Sequence, residues 1–447
     1  MGRIKARHAR PQNTSRVVSG KRCLAALVWL CGLLILGPDT AGAQTGLTER
    51  AYLPDPAKRL PEQAGSCGSL RSMGRVYMAS GGYEKAQPFL ERALHIAEGT
   101  DGSDSDLYAC MLDLAYLYKS QGKLEQAEKM CLSGLELQEK ALHKDHPYVA
   151  YTLRILSEIY RGQGRYREAE SSLERAISII HGVRRDDDQQ SAPFLVDMAR
   201  LLLERGRLAD SETHFDKAIT LIEKSFGPEH LYTTKVLASM ATLYVEQERF
   251  AEAKELILRV LPVQEKIYGP DHHFLAPVWL LLARIHQAEG DMAHAKSLLD
   301  KSLRVVENQP DSGPLVEGEV LIGLGEFYLL SKEYAQAGDV LARALNVLES
   351  SDGSPGGRTA AALNGLAKVH ISQGEYSKAE PLCRKALDIM EGIFDGYHPR
   401  IADVLETLAQ LRRETGDVAE ASRLQQRAKD IRVRQRVDSV PVARVIE

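Results

Sequence analysis

Four histidines, His146, His230, His272 and His398, stand at corresponding points of the chain, each 24 residues after a helix-turn signal. Imidazole is a common metal ligand, so a regular histidine set first invites a metal reading. These four belong to four different repeating units and cannot converge on one ion, which leaves them as residues that open helices. Asp271-His272-His273 adds a pair but brings no third ligand. The run from Asp101 to Asp106 has calcium-loop character, yet its glycine is misplaced and no closing Glu follows at the required spacing, so a helix-capping loop is expected. Cys67, Cys110, Cys131 and Cys383 show no CxxC spacing, which argues against zinc. Cys131 and Cys383 share one slot of the repeating unit and read as small buried hydrophobes. Cys110 and Cys131 flank one turn almost symmetrically and form the candidate disulfide. No serine lies in a nucleophile elbow and no glycine-rich loop is built for phosphate, so no catalytic residue, metal ligand or cofactor is assigned.

What remains is charge. Arg71, Arg75, Lys119, Arg154, Arg161, Arg200, Lys235 and Arg284 recur 13, 10, 6 or 3 residues before a turn signal, against Glu158 alone at those offsets. Later in the chain the same offsets carry Lys368 and Arg413 against Glu319, Glu326, Asp403 and Glu406. Leu112, Val196, Leu203, Leu280, Ile322 and Leu329 interleave, so the stripe is expected to line an amphipathic groove that guides an acidic protein or peptide segment.

The elements that must position this stripe are repeats. Turn signals fall at Gly81, Gly122, Gly164, Gly206, Glu248, Gly290, Lys332, Gly374 and Gly416, spaced by 41 residues once and by 42 thereafter. Five residues after each comes Ala or, once, Ser; seven before each comes Gly, Ala or Ser. Large apolar residues recur at 11 and 8 before the turn, as in Leu363 and Leu366. Those offsets trace one face of a helix, not a strand alternation. Each unit is therefore a helical hairpin that buries its apolar faces only by stacking on its neighbours, which predicts an all-α solenoid with local contacts.

These residues resemble the tetratricopeptide repeat, as in Trp279-x2-Leu282-Ala283-x2-His286 followed by Ala295-x3-Leu299. The junctions Lys224-Ser-Phe-Gly-Pro-Glu-His230, Lys266-Ile-Tyr-Gly-Pro-Asp-His272 and Gly392-Ile-Phe-Asp-Gly-Tyr-His-Pro399 resemble those of kinesin light chains, whose second helix is longer than in the 34-residue repeat. The resemblance spans roughly residues 66 to 437. It implies a right-handed superhelix with the first helix of each repeat on the concave side. The light chains' heptad coiled coil is missing here, and of their peptide-gripping Asn pair only Asn364 is kept.

The amino terminus reads as an address. Seven Lys/Arg precede Ala43 against the single acid Asp39, and the run from Cys23 to Leu36 holds no charge. Pro38 and the small-x-small site Ala41-Gly42-Ala43 follow, the order of a secretory signal. Fourteen residues fall short of the ~20 that span a bilayer, so cleavage after Ala43 is expected over an anchor through residues 23–37. Removing those charges from 57 basic and 61 acidic residues leaves 50 and 60, a net −10 that argues against a nucleic-acid binder. Of the whole chain, 44% is hydrophobic and only 6% aromatic, globular but thin in rings for β-sandwiches.

The expected organisation is a signal peptide (1–43), a linker (44–65), a nine-repeat solenoid (66–437) and a tail (438–447). The expected function is an exported, periplasmic or secreted, non-enzymatic scaffold for a protein or peptide partner. Membrane contact enters only if the signal is retained. A cytosolic cargo adaptor like the light chains, or an enzyme with a site in the groove, are the rival readings.

Overall fold

A computed structural model of the chain describes residues 66–79, 82–99, 103–183, 189–309, 313–350, 356–394, 396 and 398–438. The expected signal (1–43), the linker (44–65) and residues 439–447 of the tail lie outside the described residues. Those described form nine antiparallel helical hairpins. The first four are α1 (Cys67–Ala79) with α2 (Tyr83–Ala97), α3 (Asp104–Ser120) with α4 (Leu124–Leu142), α5 (Pro147–Gly162) with α6 (Tyr166–Val183), and α7 (Ala192–Glu204) with α8 (Leu208–Phe226). Then come α9 (Leu231–Glu246) with α10 (Phe250–Tyr268), α11 (Ala276–Ala288) with α12 (Met292–Asn308), and α13 (Pro314–Leu330) with α14 (Tyr334–Glu349). The last two are α15 (Gly357–Ser372) with α16 (Tyr376–Ile393) and α17 (Pro399–Glu414) with α18 (Val418–Asp438). The tandem-repeat, all-α reading holds.

The turn signal at Gly81 lies outside the described residues, and the other eight hairpins turn by the same chemistry. At Gly122 the backbone takes φ 78°; the Lys123 N–H donates to the Tyr118 carbonyl and the Gly122 N–H to that of Lys119. This crossed pair satisfies carbonyls that a helix end otherwise leaves open. The same two bonds recur at Gly164, Gly206, Gly290, Gly374 and Gly416, and also at Glu248 and Lys332, both at φ 61°. The two non-glycine positions show that the turn is dictated by the packing of the flanking helices, since an L-residue there works against a left-handed penalty of roughly 1–2 kcal/mol.

Beside the turn the two helices close on small residues. Ala115 faces the crossing from α3 and Ala127 from α4, and their equivalents Ala241 and Ala253, or Ala367 and Ala379, are likewise without exposed surface. At Gly74 and Gly325 an added Cβ would sit 2.5 Å from Leu90 and Leu341. In the one repeat with Ser at the second small site, the Ser211 hydroxyl donates to the Ala199 carbonyl at 2.7 Å, so its polar atom is satisfied in place. Trp279, Leu282 and Leu299 fill the apolar slots around Ala283 and Ala295 as the repeat pattern requires.

One contact breaks the expectation of local packing alone. The His398 ring donates through Nε2 to the Glu204 carbonyl at 2.7 Å, 194 residues away. Phe394 stacks on Tyr166 at 5.4 Å between centroids and on His398 at 3.7 Å, and Ile393 packs over Gly164. Small rotations between successive repeats accumulate until the loop between the eighth and ninth repeats meets the third and fourth. Burial, reinforced by Arg400, lowers the His398 pKa to about 3, so the ring is neutral when it makes this bond.

The small-residue crossing has a measurable consequence. Ala253→Leu should cost about 1–3 kcal/mol by overpacking, whereas the exposed Glu252→Leu should stay within about 0.5 kcal/mol. Thermal melts of the two variants measure the difference, and equal shifts would contradict the packing described.

Candidate functional site: the lining of the first helices

First helices of neighbouring repeats, such as α11, α13, α15 and α17, pack directly on one another, while second helices pack mainly on first helices. The first helices therefore lie on the inside of the curve, as the resemblance implied. The charged stripe sits on them as a staircase of ion pairs between consecutive repeats. Arg71 and Arg75 on α1 both reach Asp113 on α3 at 2.8 Å. Lys119 on α3 pairs with Glu158 on α5. Arg154 on α5 lies 2.9 Å from Asp197 on α7 and 3.9 Å from Glu158. Arg161 reaches Glu204 at 2.8 Å, and Arg284 on α11 reaches back to Glu246 on α9 at 2.9 Å.

The stripe is not a run of unopposed positive charge. Its cations are met by carboxylates at other offsets, Asp113 and Asp197 nine residues before the turn and Glu204 and Glu246 two before it. A pairing partner one repeat away does not show in a count along one stripe. Arg154, expected outside the core, is buried with 6% of its surface exposed. Burial works against its charge, but Asp197 and Glu158 override that and hold the guanidinium above its ordinary value. For Glu158, burial alone would raise the pKa; Lys119 and Arg154, with Arg161, hold it well below the carboxylate range. Arg284 is also opposed by burial and held charged by Glu246, with Glu326 and Asp403 adding from later repeats.

Two stripe residues are placed differently. Arg200 on α7 donates from Nε to the Ser239 hydroxyl at 3.2 Å, beside a shallow depression lined by Ser157, Glu158, Arg161, Leu173, Asp197 and Leu201. Lys235 on α9 sits near the Tyr268 and Phe274 rings, at 6.0 and 5.9 Å from their centroids. The interleaved apolar residues do not face an open groove. Val196, Leu280 and Ile322 are buried and Leu112, Leu203 and Leu329 pack partly against the core, because consecutive first helices interlock there, as where Leu280 closes on Gly323. Asn364 is buried, and its Oδ1 has no hydrogen-bond partner.

The histidines act as helix caps. The Nδ1 atoms of His146, His230, His272 and His398 accept from the backbone N–H two residues on, at 3.1–3.2 Å, satisfying a donor that the helix start leaves open. His273 binds the Gln309 side-chain oxygen at 2.7 Å. Ser103, from the run with calcium-loop character, caps α3 by accepting from the Asp106 N–H. Among the described residues no three His, Cys, Asp or Glu side chains are grouped to hold a metal. The proposed cysteine pair is corrected: the Cys131 thiol faces the Thr152 carbonyl at 3.7 Å, and the sulfur beside Cys110 is that of Cys67.

With this architecture in view, comparison with known proteins agrees. The model of the MalT-like TPR region matches residues 68–228 and 179–315, and that of the tetratricopeptide repeat matches 317–391 and 358–432. The chain belongs to the tetratricopeptide-repeat proteins. It is 33% identical over 92 residues to Protein KINESIN LIGHT CHAIN-RELATED 2 of Arabidopsis thaliana, a match covering 20% of this chain and only 14% of that protein. Among solved structures it shares its fold with a Rap protein complexed with Competence and Sporulation Factor (TM-score 0.62, 12% identity, 83% of this chain and 99% of that one). The quorum sensor NprR of B. thuringiensis, in its apo form, is also similar (TM-score 0.55, 13% identity, 72% and 87%).

The staircase makes its own prediction. Glu158→Gln leaves Lys119 and Arg154 short of a counter-charge and should cost about 1–3 kcal/mol at pH 7. Because the folded state holds the Glu158 pKa down, its stabilisation is present above the ordinary glutamate value of about 4.3 and is lost as pH falls through the folded value. Urea midpoints of wild type and variant should therefore differ at neutral pH and converge in acid.

Proposed function

We propose that this tetratricopeptide-repeat chain is an exported scaffold that holds an acidic protein or peptide segment against its first helices. The observation that carries the reading is Arg200, whose side-chain hydrogen bond goes to a neutral hydroxyl while the neighbouring stripe arginines are engaged by carboxylates. With Lys235 on the next first helix it places cationic groups on the inner surface, where a partner's carboxylate would gain a charge-assisted bond. The repeat family, and the fold shared with a Rap protein complexed with Competence and Sporulation Factor, support a protein or peptide as the occupant. Export rests on the basic, apolar and small-residue order of residues 1–43.

A pull-down with the mature chain, read by mass spectrometry, identifies the partner. Arg200→Glu with Lys235→Glu should then weaken it about tenfold, mainly through slower association, and wild-type affinity should fall as salt rises. The control reverses Arg175 and Arg259, which pair with Glu139 and Glu223 on the outer helices, and should bind like wild type. If both double variants bind alike, the inner surface is not the binding face.

Export has a separate readout. Protein recovered outside the cytoplasm should begin at Gln44. Soluble cytosolic protein retaining Met1–Arg22 would end the export reading and favour the cytosolic adaptor.

A further inference from the structure

Cys67 and Cys110 are 43 residues apart in sequence, yet their Sγ atoms lie 3.3 Å apart in the core. Cys67 opens α1 and Cys110 lies within α3, so the contact joins the first helices of repeats one and two. Leu70, Ala93 and Ala97 close around it. One turn further along, Arg71 and Arg75 of α1 grip Asp113 of α3, which fixes the register of the two helices where the thiols meet. Burial, together with the neighbouring Cys67 thiol, pushes the Cys110 thiol well above its usual range, so it rests in the neutral form.

We propose that Cys67 and Cys110 are a disulfide site that staples the first described repeat to its neighbour, with a glutathione-type or protein disulfide as the oxidant. A disulfide bond of about 2.05 Å requires the sulfurs to approach by about 1.3 Å, within reach of side-chain adjustment. Cys67 keeps some surface exposed while Cys110 has none, and local opening of the first turn of α1 presents Cys67 first. Its thiol loses a proton and the thiolate attacks one sulfur of the oxidant, forming a mixed disulfide and releasing the other sulfur as a thiolate. Cys110 then loses its proton and attacks Cys67 Sγ, expelling the oxidant's second sulfur. The two cysteines give up two electrons and two protons, and the oxidant's disulfide leaves as two thiols.

Such a staple matters here because, among the described residues, α1 has a neighbouring repeat on one side only, and repeats held from one side open more readily. Formation in the cell rests on the export reading, since secretory compartments sustain disulfides and the cytosol does not. The pairing itself is a property of the fold and can be tested in a tube.

The full-length chain is equilibrated in an oxidising glutathione buffer, denatured, alkylated, digested and mapped by mass spectrometry. The expected result is a linked peptide pair through Cys67 and Cys110, with neither joined to Cys23, Cys31, Cys131 or Cys383. Hydrogen exchange across residues 67–97 should be at least tenfold slower in the oxidised than in the reduced protein, and Cys67→Ser or Cys67→Ala should remove that difference. Alkylation of both Cys67 and Cys110 after oxidation of folded protein, or a link from Cys110 to Cys131, would overturn the proposal. Either result leaves the export reading standing, which the amino-terminal residue of the recovered protein decides.

Discussion

Two helices of a hairpin can approach only as closely as the side chains between them allow, and in this chain that limit is set by pairs of Gly, Ala and Ser beside every described turn. With Ala241 and Ala253 fully covered, the helices close until the apolar residues one turn further out interlock. That fixed approach makes each hairpin nearly the same rigid object. Identical objects stacked by identical contacts must follow a regular curve, and the regular curve puts the first helices inside. The left-handed backbone at Glu248 and Lys332 follows from the same constraint: the helices are already positioned, and the residue at the bend accommodates them.

On that frame the inner charges serve two purposes. Pairs such as Arg154 with Asp197 tie one repeat to the next, and being largely buried they resist screening more than surface pairs do. They also define what the surface has left to offer a partner. A lining whose charges are mostly matched internally presents a patterned surface with few free cations, so recognition depends on where a carboxylate is placed and not on net attraction alone.

Much of this was legible in the sequence because it is local and periodic. The turn positions, the small-residue slots, the apolar face and the capping histidines all lie within one repeat and recur in register, so each unit corroborates the next. Asp113, Asp197 and Glu204 were harder to read, since their partners lie a repeat away and off the stripe being followed. Arg154 looked like a surface residue because a single helix shows its own faces but not how the next repeat covers them. Cys110 was set against Cys131 by symmetry within one hairpin, whereas its neighbour comes from the preceding repeat. The meeting of His398 with Glu204 had no local trace at all, being the sum of small rotations over several repeats.

That meeting changes the topology of access. An open solenoid is a horseshoe, entered from the side along its whole length, and its repeats unfold nearly as independent links. Where Phe394 and His398 rest on Tyr166 and Glu204, the middle repeats become a hoop. A long chain enters a hoop by threading a free end, or the hoop must part at that clasp to admit it. Fraying one repeat of the enclosed arc also costs the clasp, so repeats far apart in sequence share their fate.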